Sequence, residues 1–161
     1  MSMPFILANM FGLTLIVVCG YAVVRGGRPE RIGAGTSLLA SLATAGVRLL
    51  FPSAWLPAAI SVLAIDLVVI GIFFWLATTT IRFWPIWATG FALSNLLVSL
   101  AGALFPRIQL FAFHTGLGIY AYLVLGAVTV GIWWLPRDAD PVVRNGSRRL
   151  FLDRKNGSPG K

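Results

Sequence analysis

Apolar residues run along this chain in five long blocks, and polar residues gather in the short breaks between them. The blocks are Phe5–Val24, Ile32–Phe51, Leu56–Thr78, Pro85–Phe105 and Ile108–Leu135. Each reaches the ~20 residues that a helix needs to cross the hydrocarbon of a bilayer. Polar and apolar residues do not alternate within them, as the strands of a membrane barrel would require. A segment in lipid must bond its own backbone internally, so the pattern predicts helices. The expected fold class is all-α: an integral membrane bundle of five transmembrane helices over 1–136, followed by a basic, disordered cytoplasmic tail over 137–161.

The breaks carry matching punctuation. Gly26, Gly27 and Pro29 are expected to end the first helix, Pro52 and Pro57 to mark the next turn, and Pro106 and Pro136 to close the last two spans. Pro85 falls in a first helical turn, where the missing N–H costs nothing. The second block opens with small residues and carries Arg48, so it is expected among the other helices rather than against lipid. The fifth is long enough to tilt.

Composition sharpens this picture. The chain is 58% hydrophobic and 11% charged, against about a quarter charged in soluble domains. No charged residue precedes Arg25, only Arg48 and Asp66 lie between Ile32 and Ile81, and only Arg107 lies between Phe83 and Leu135. The net charge of +8 does not point to nucleic acid, because the basic residues flank the apolar blocks and are not interleaved with aromatics. With five spans, eleven of the thirteen Lys and Arg residues fall on one side, and Arg48 and Arg107 on the other. The positive-inside rule then places the N-terminus outside and the C-terminus in the cytoplasm. Trp55, Trp75, Trp84, Trp87, Trp133 and Trp134 all fall near block ends, as residues of an interfacial aromatic belt do. The first block is longer than a signal-peptide core and no basic residue precedes it, so it is expected to be retained. Cys19 has no second cysteine to pair with. The basic patch Arg148-Arg149-Leu150-Phe151-Leu152 suits anionic lipid, or simply solvent in a tail that fixes topology.

Two stretches, Gly27-Arg28-Pro29-Glu30-Arg31-Ile32-Gly33-Ala34 and Arg82-Phe83-Trp84-Pro85-Ile86-Trp87-Ala88-Thr89-Gly90-Phe91, together resemble a group of short uncharacterised multi-pass proteins of bacterial inner membranes. The resemblance covers a small part of the chain. It implies a bacterial inner-membrane location and brings no activity, substrate or cofactor.

Membrane helices pack through small residues, with polar side chains bonding across the interface. Stripes of this kind are Asn9, Gly12, Ile16, Cys19 on the first helix and Ala34, Ser37, Ser41, Thr44, Arg48 on the second. The fourth carries Ala88, Ala92, Asn95, Ser99, Gly102, and the fifth His114, Gly118, Ala121. All are expected to face the bundle. Asp66 lies about ten residues into the third block, roughly 15 Å deep at 1.5 Å per residue. A carboxyl group at that depth turns inward and pairs, or stays protonated. Asn95 and Thr14 fall at similar depth and are its expected partners, with Arg48 next; Asn9, Arg48 and His114 lie in the outer half.

His114 is the single histidine, so bis-histidine haem ligation within one chain is excluded, while single ligation of a haem or pigment stays open. No clustered metal ligands, nucleophile–base set or phosphate loop is visible. The expectation is a non-enzymatic accessory, assembly or interaction subunit without cofactor or metal. Its expected partners are the lipid bilayer and another membrane protein or a second copy. The alternative is a small transporter or channel using Asp66 as a proton or cation site. A third class, an electron-transfer subunit, depends on His114.

Overall fold

The computed structural model describes the backbone of residues 3–50, 55–104, 110–136 and 140–156; within these, side chains are described at 9–47, 49–50, 60–101, 119–136 and 140–155. The described residues are all-α apart from one isolated bridge between Thr80 and Ser147. Five long helices, α1 Met3–Arg25, α2 Arg28–Leu50, α3 Trp55–Thr79, α4 Trp84–Leu104 and α5 Leu110–Trp133, precede two short ones, α6 Pro141–Asn145 and α7 Arg148–Asn156. The expected blocks coincide with the long helices to within two residues at most ends. The exception is α2, which starts at Arg28 rather than Ile32. Pro29 was expected to terminate α1; it sits instead in the first turn of α2, where proline is tolerated. Gly26 and Gly27 alone make the connection, and the Gly26 N–H donates back to the Ala22 carbonyl at 2.9 Å.

Successive long helices pack on one another, α1 on α2 through to α4 on α5. Contacts of α5 with α1 and α2 close the bundle. The core is built from Leu15, Val18 and Ala22 of α1, Ala34 of α2, Phe73 and Leu76 of α3, Ala88 and Ala92 of α4, and Val124, Leu125, Val128 and Ile132 of α5. Small residues on α2 and α4 let the larger side chains of α3 and α5 approach, which is how close helix packing is reached without bulky pairs. The outer surface is apolar as well. Leu13 and Val24 on α1, Leu39 and Leu49 on α2, Ile60 and Val68 on α3, Trp87 and Leu97 on α4, and Ile119 and Trp133 on α5 all point outward.

Two stretches among the described residues are long and apolar enough to cross a membrane, Ile60–Thr79 and Trp84–Ala101. Asn9–Arg25 and Ile119–Trp133 are apolar but shorter.

The helix faces match the expected stripes in part. Ala34, Ala88 and Ala92 are buried, and Ser37, Ser41, Thr44, Asn95, Ser99 and Ala121 half-buried. On α1 the stripe is met in half: Gly12 and Cys19 are half-buried, Asn9 is exposed and Ile16 is 65% exposed, while Leu15, Val18 and Ala22 turn further inward. The larger side chains set the rotation of this helix, because they fill the core volume that a small polar stripe leaves empty. The aromatic belt needs a correction too. Trp75, Trp87, Trp133 and Trp134 are exposed, but Trp84 is buried in the core. The expectation of a disordered tail gives way over 140–156, where the chain forms α6 and α7. Asp140 caps α6 by accepting from the Val142 N–H, Pro141 occupies its first turn, and Gly146 ends it in the left-handed conformation at φ 68°. These are ordinary start and stop signals lying in a stretch whose polar composition suggested disorder.

Candidate functional site

Two polar clusters stand out in an otherwise apolar bundle. The first sits where the α1–α2 and α3–α4 turns meet. Glu30, in the first turn of α2, is fully buried. Its Oε1 accepts a hydrogen bond from Trp84 Nε1 at 3.0 Å, and the Arg82 guanidinium lies alongside, Nε to Oε1 3.5 Å. That separation is an ion pair rather than a hydrogen bond, so Arg82 Nε has no hydrogen-bond acceptor among the described residues. Arg82 spends another donor on the tail: its Nη2 donates to the Val143 carbonyl at 2.9 Å. Glu30 Oε2 has no donor among the described residues. A buried polar group without a partner costs free energy, so this cluster is expensive and held by its surroundings.

Glycines make those surroundings possible. Trp84 lies across Gly131 of α5 and Gly33 of α2; a methyl group at Gly131 would fall inside the indole, 2.6 Å from Cγ, and one at Gly33 would lie 2.5 Å from the far ring edge. Phe73 meets the same indole edge-on, with centroids 6.2 Å apart. Gly27 lies against the Arg144 carbonyl, and Glu30 Oε2 is 2.8 Å from where a Gly27 methyl would be. The tail is drawn onto this surface from the other side. Ile81 N–H donates to the Gly146 carbonyl at 3.0 Å, and Gly146 rests on the Pro29 ring. One buried carboxyl group thus organises both turns, while Arg82 and Gly27 anchor α6 over them.

Beside α6 lies an open notch of about 510 Å³. Arg28 and Arg31 of α2 and Arg144 of α6 line it, over a floor of Gly26 and Gly27. The three arginines are exposed.

The second cluster is at mid-helix. Asn95 Nδ2 of α4 donates to Asp66 Oδ2 of α3 at 3.3 Å, and both residues are half-buried. The structure therefore brings together Asp66 and the partner expected first. Thr14 is not part of this pair: its hydroxyl donates to the Met10 carbonyl of its own helix at 2.9 Å. Asn9 is exposed on α1. The side chains of Arg48 and His114 lie outside the described residues, and so do the reach of Arg48 toward Asp66 and any ligation by His114. Cys19 donates to the Ala34 carbonyl at 3.4 Å and links α1 to α2.

Glu30 was not among the expected site residues. The signal that marks it is charge sign: Glu30 and Asp66 are the acidic residues in the first 136 positions, and Glu30 stands among Arg25, Arg28 and Arg31. An acid in a basic turn asks for a partner.

Among the described residues no group of His, Cys, Asp and Glu is placed to hold a metal ion. Comparison with protein-family models, with characterised proteins and with solved structures finds no match.

Proposed function

We propose that this chain is a non-enzymatic, multi-pass integral membrane protein that acts as an accessory, assembly or interaction subunit. In this reading α1 to α5 all span the bilayer of a bacterial inner membrane, with the N-terminus outside and the basic turn end, with its C-terminal segment, in the cytoplasm. The observation that carries it is the outward display of large apolar side chains on all five long helices around a closed apolar core. A water-soluble monomer rarely exposes apolar patches beyond a few hundred Å², whereas lipid accepts such a surface and demands satisfied backbones beneath it. The subunit role is supported by the nature of the polar groups: Glu30, Arg82 and Trp84 are consumed in holding turns together.

The test is purification from membranes after an alkaline carbonate wash, in two unrelated mild detergents. The protein should stay in the membrane fraction and carry the same membrane-protein partner, or a second copy, at fixed stoichiometry in both. Release by carbonate contradicts the membrane reading; a chain that purifies alone as a monomer contradicts the subunit reading.

The Asp66–Asn95 pair favours a second reading, proton or cation handling between α3 and α4. Here Asp66→Asn should leave the protein folded and abolish ion flux in proteoliposomes. Equal flux in parent and variant removes this reading.

A further inference from the structure

The notch beside α6 is assembled by tertiary structure. Arg28 and Arg31 come from the first turn of α2, and Arg144 arrives more than a hundred residues later. It is fixed there by the contact of its own carbonyl with Gly27 and by the Arg82 bond to neighbouring Val143. None of the three has an ion-pair partner among the described residues, whose ion pairs are Arg82–Glu30 and Arg154–Asp140. No acid lines the notch. Two acids stand close by: Glu30 is turned into the core, with Arg82 and Trp84 against it, and Asp140, next to the lining Pro141, is paired with Arg154. Three arginines lining one open notch suit a phosphate, since the planar fork of arginine pairs two donors with two phosphate oxygens. Trp133 and Trp134, exposed at the same end of the bundle just after the last long helix, are the residue type that marks the headgroup layer. A phosphate at this level is one carried by lipid.

We propose that Arg28, Arg31 and Arg144 form a binding site for the headgroup of an anionic phospholipid at the cytoplasmic end of the bundle. The inference rests on the membrane reading above. Lipid bound there bridges α2 to α6 and holds the C-terminal clasp closed.

The full-length protein in neutral detergent tests this, titrated with phosphatidylglycerol, phosphatidylcholine or inorganic phosphate while the unfolding temperature and, by native mass spectrometry, bound lipid are followed. Phosphatidylglycerol should raise the unfolding temperature and be retained; phosphatidylcholine should do neither, and millimolar phosphate should not reproduce the effect. The triple variant Arg28→Gln, Arg31→Gln, Arg144→Gln should bind phosphatidylglycerol about tenfold or more weakly, as expected for loss of several charge-assisted bonds. The charge-matched control Arg148→Gln, Arg149→Gln, Lys155→Gln should lose much less. Should the triple variant not fold, Arg31→Gln alone should show a weaker form of the same loss. An equal loss in the control, parent-like binding by the notch variants, or equal binding of phosphatidylcholine overturns the proposal. Phosphate that matches the lipid makes the notch a free-anion site and overturns it too. Failure of the membrane reading looks different: the protein then leaves the membrane on carbonate washing, whatever lipid it binds.

Discussion

Glu30 is the residue on which the turn end depends. It receives Trp84 from α4 and Arg82 from the α3–α4 turn, and it does so fully buried. Removing it strands two donors at once. Glu30→Ala should therefore lower stability by about 2–4 kcal/mol, less than the full penalty of an orphaned buried charge because Arg82 keeps the Val143 carbonyl. Trp84→Phe removes the hydrogen bond and part of the buried indole but leaves the ion pair, so it should cost about 2–4 kcal/mol. Unfolding in detergent measures both; a Glu30→Ala protein as stable as the parent would show that the cluster is incidental. Two glycines of α5 make a second contrast. Gly131→Ala drives a methyl into the Trp84 indole, whereas the space beside Gly126 is open. The first should destabilise by about 1–3 kcal/mol through overpacking. Gly126→Ala should be neutral or slightly stabilising, because alanine is the better helix former. Equal effects in the same unfolding experiment would mean that Trp84 does not occupy the place described. The Asp66–Asn95 pair was legible from depth alone, since both residues fall near the middle of their apolar blocks and polar groups at that depth must find each other. Glu30 was not, because a turn residue has water as a default partner, and nothing local announces that the tail will cover it.

At the scale of elements, block lengths and proline positions located the helices, while side-chain volume decided which way they face. The small-residue stripe of α4 was legible because Ala88 and Ala92 sit against the large side chains of α3 and α5. That of α1 was legible only in part: Gly12 and Cys19 turn toward the bundle, but Leu15 and Val18 fill the core and leave Asn9 and Ile16 outside. α6 and α7 escaped the hydropathy pattern since they bury little of their own surface, and α6 is fixed by capping and backbone bonds. Its cap gives a pH dependence. The bond from Arg154 and then the Val142 N–H hold the Asp140 carboxyl below the ordinary carboxylate range. A group whose folded value is lowered contributes stability above its unfolded value and loses it as pH falls through the folded one. Hydrogen-exchange protection of the Gly146 N–H, which bonds to Val142 and Val143 carbonyls, should hold at neutral pH and decline through the acidic range once intrinsic exchange is corrected for. Asp140→Asn should flatten that decline. Protection that is constant with pH in the parent would detach the cap from the clasp.

For the molecule as a whole, charge is distributed unevenly: eleven of the thirteen Lys and Arg residues fall in the alternate breaks and the C-terminal segment. The described end gathers Arg25, Arg28, Arg31, Arg82 and Arg144 around a docked C-terminal segment, and exposed apolar side chains cover the helix walls leading away from it. Charge asymmetry of this sort orients a membrane protein as it is made, and in the proposed reading the contact of α6 with the turns lies at the cytoplasmic face. Everything proposed for function depends on five crossings in that orientation. Single cysteines placed in a Cys19→Ala background and probed in intact cells with a membrane-impermeant maleimide measure it directly. Ser53→Cys and Arg107→Cys should label from outside, while Ser147→Cys should label only after the membrane is opened. Labelling of Ser147→Cys in intact cells, or protection of Ser53→Cys until lysis, would contradict the account.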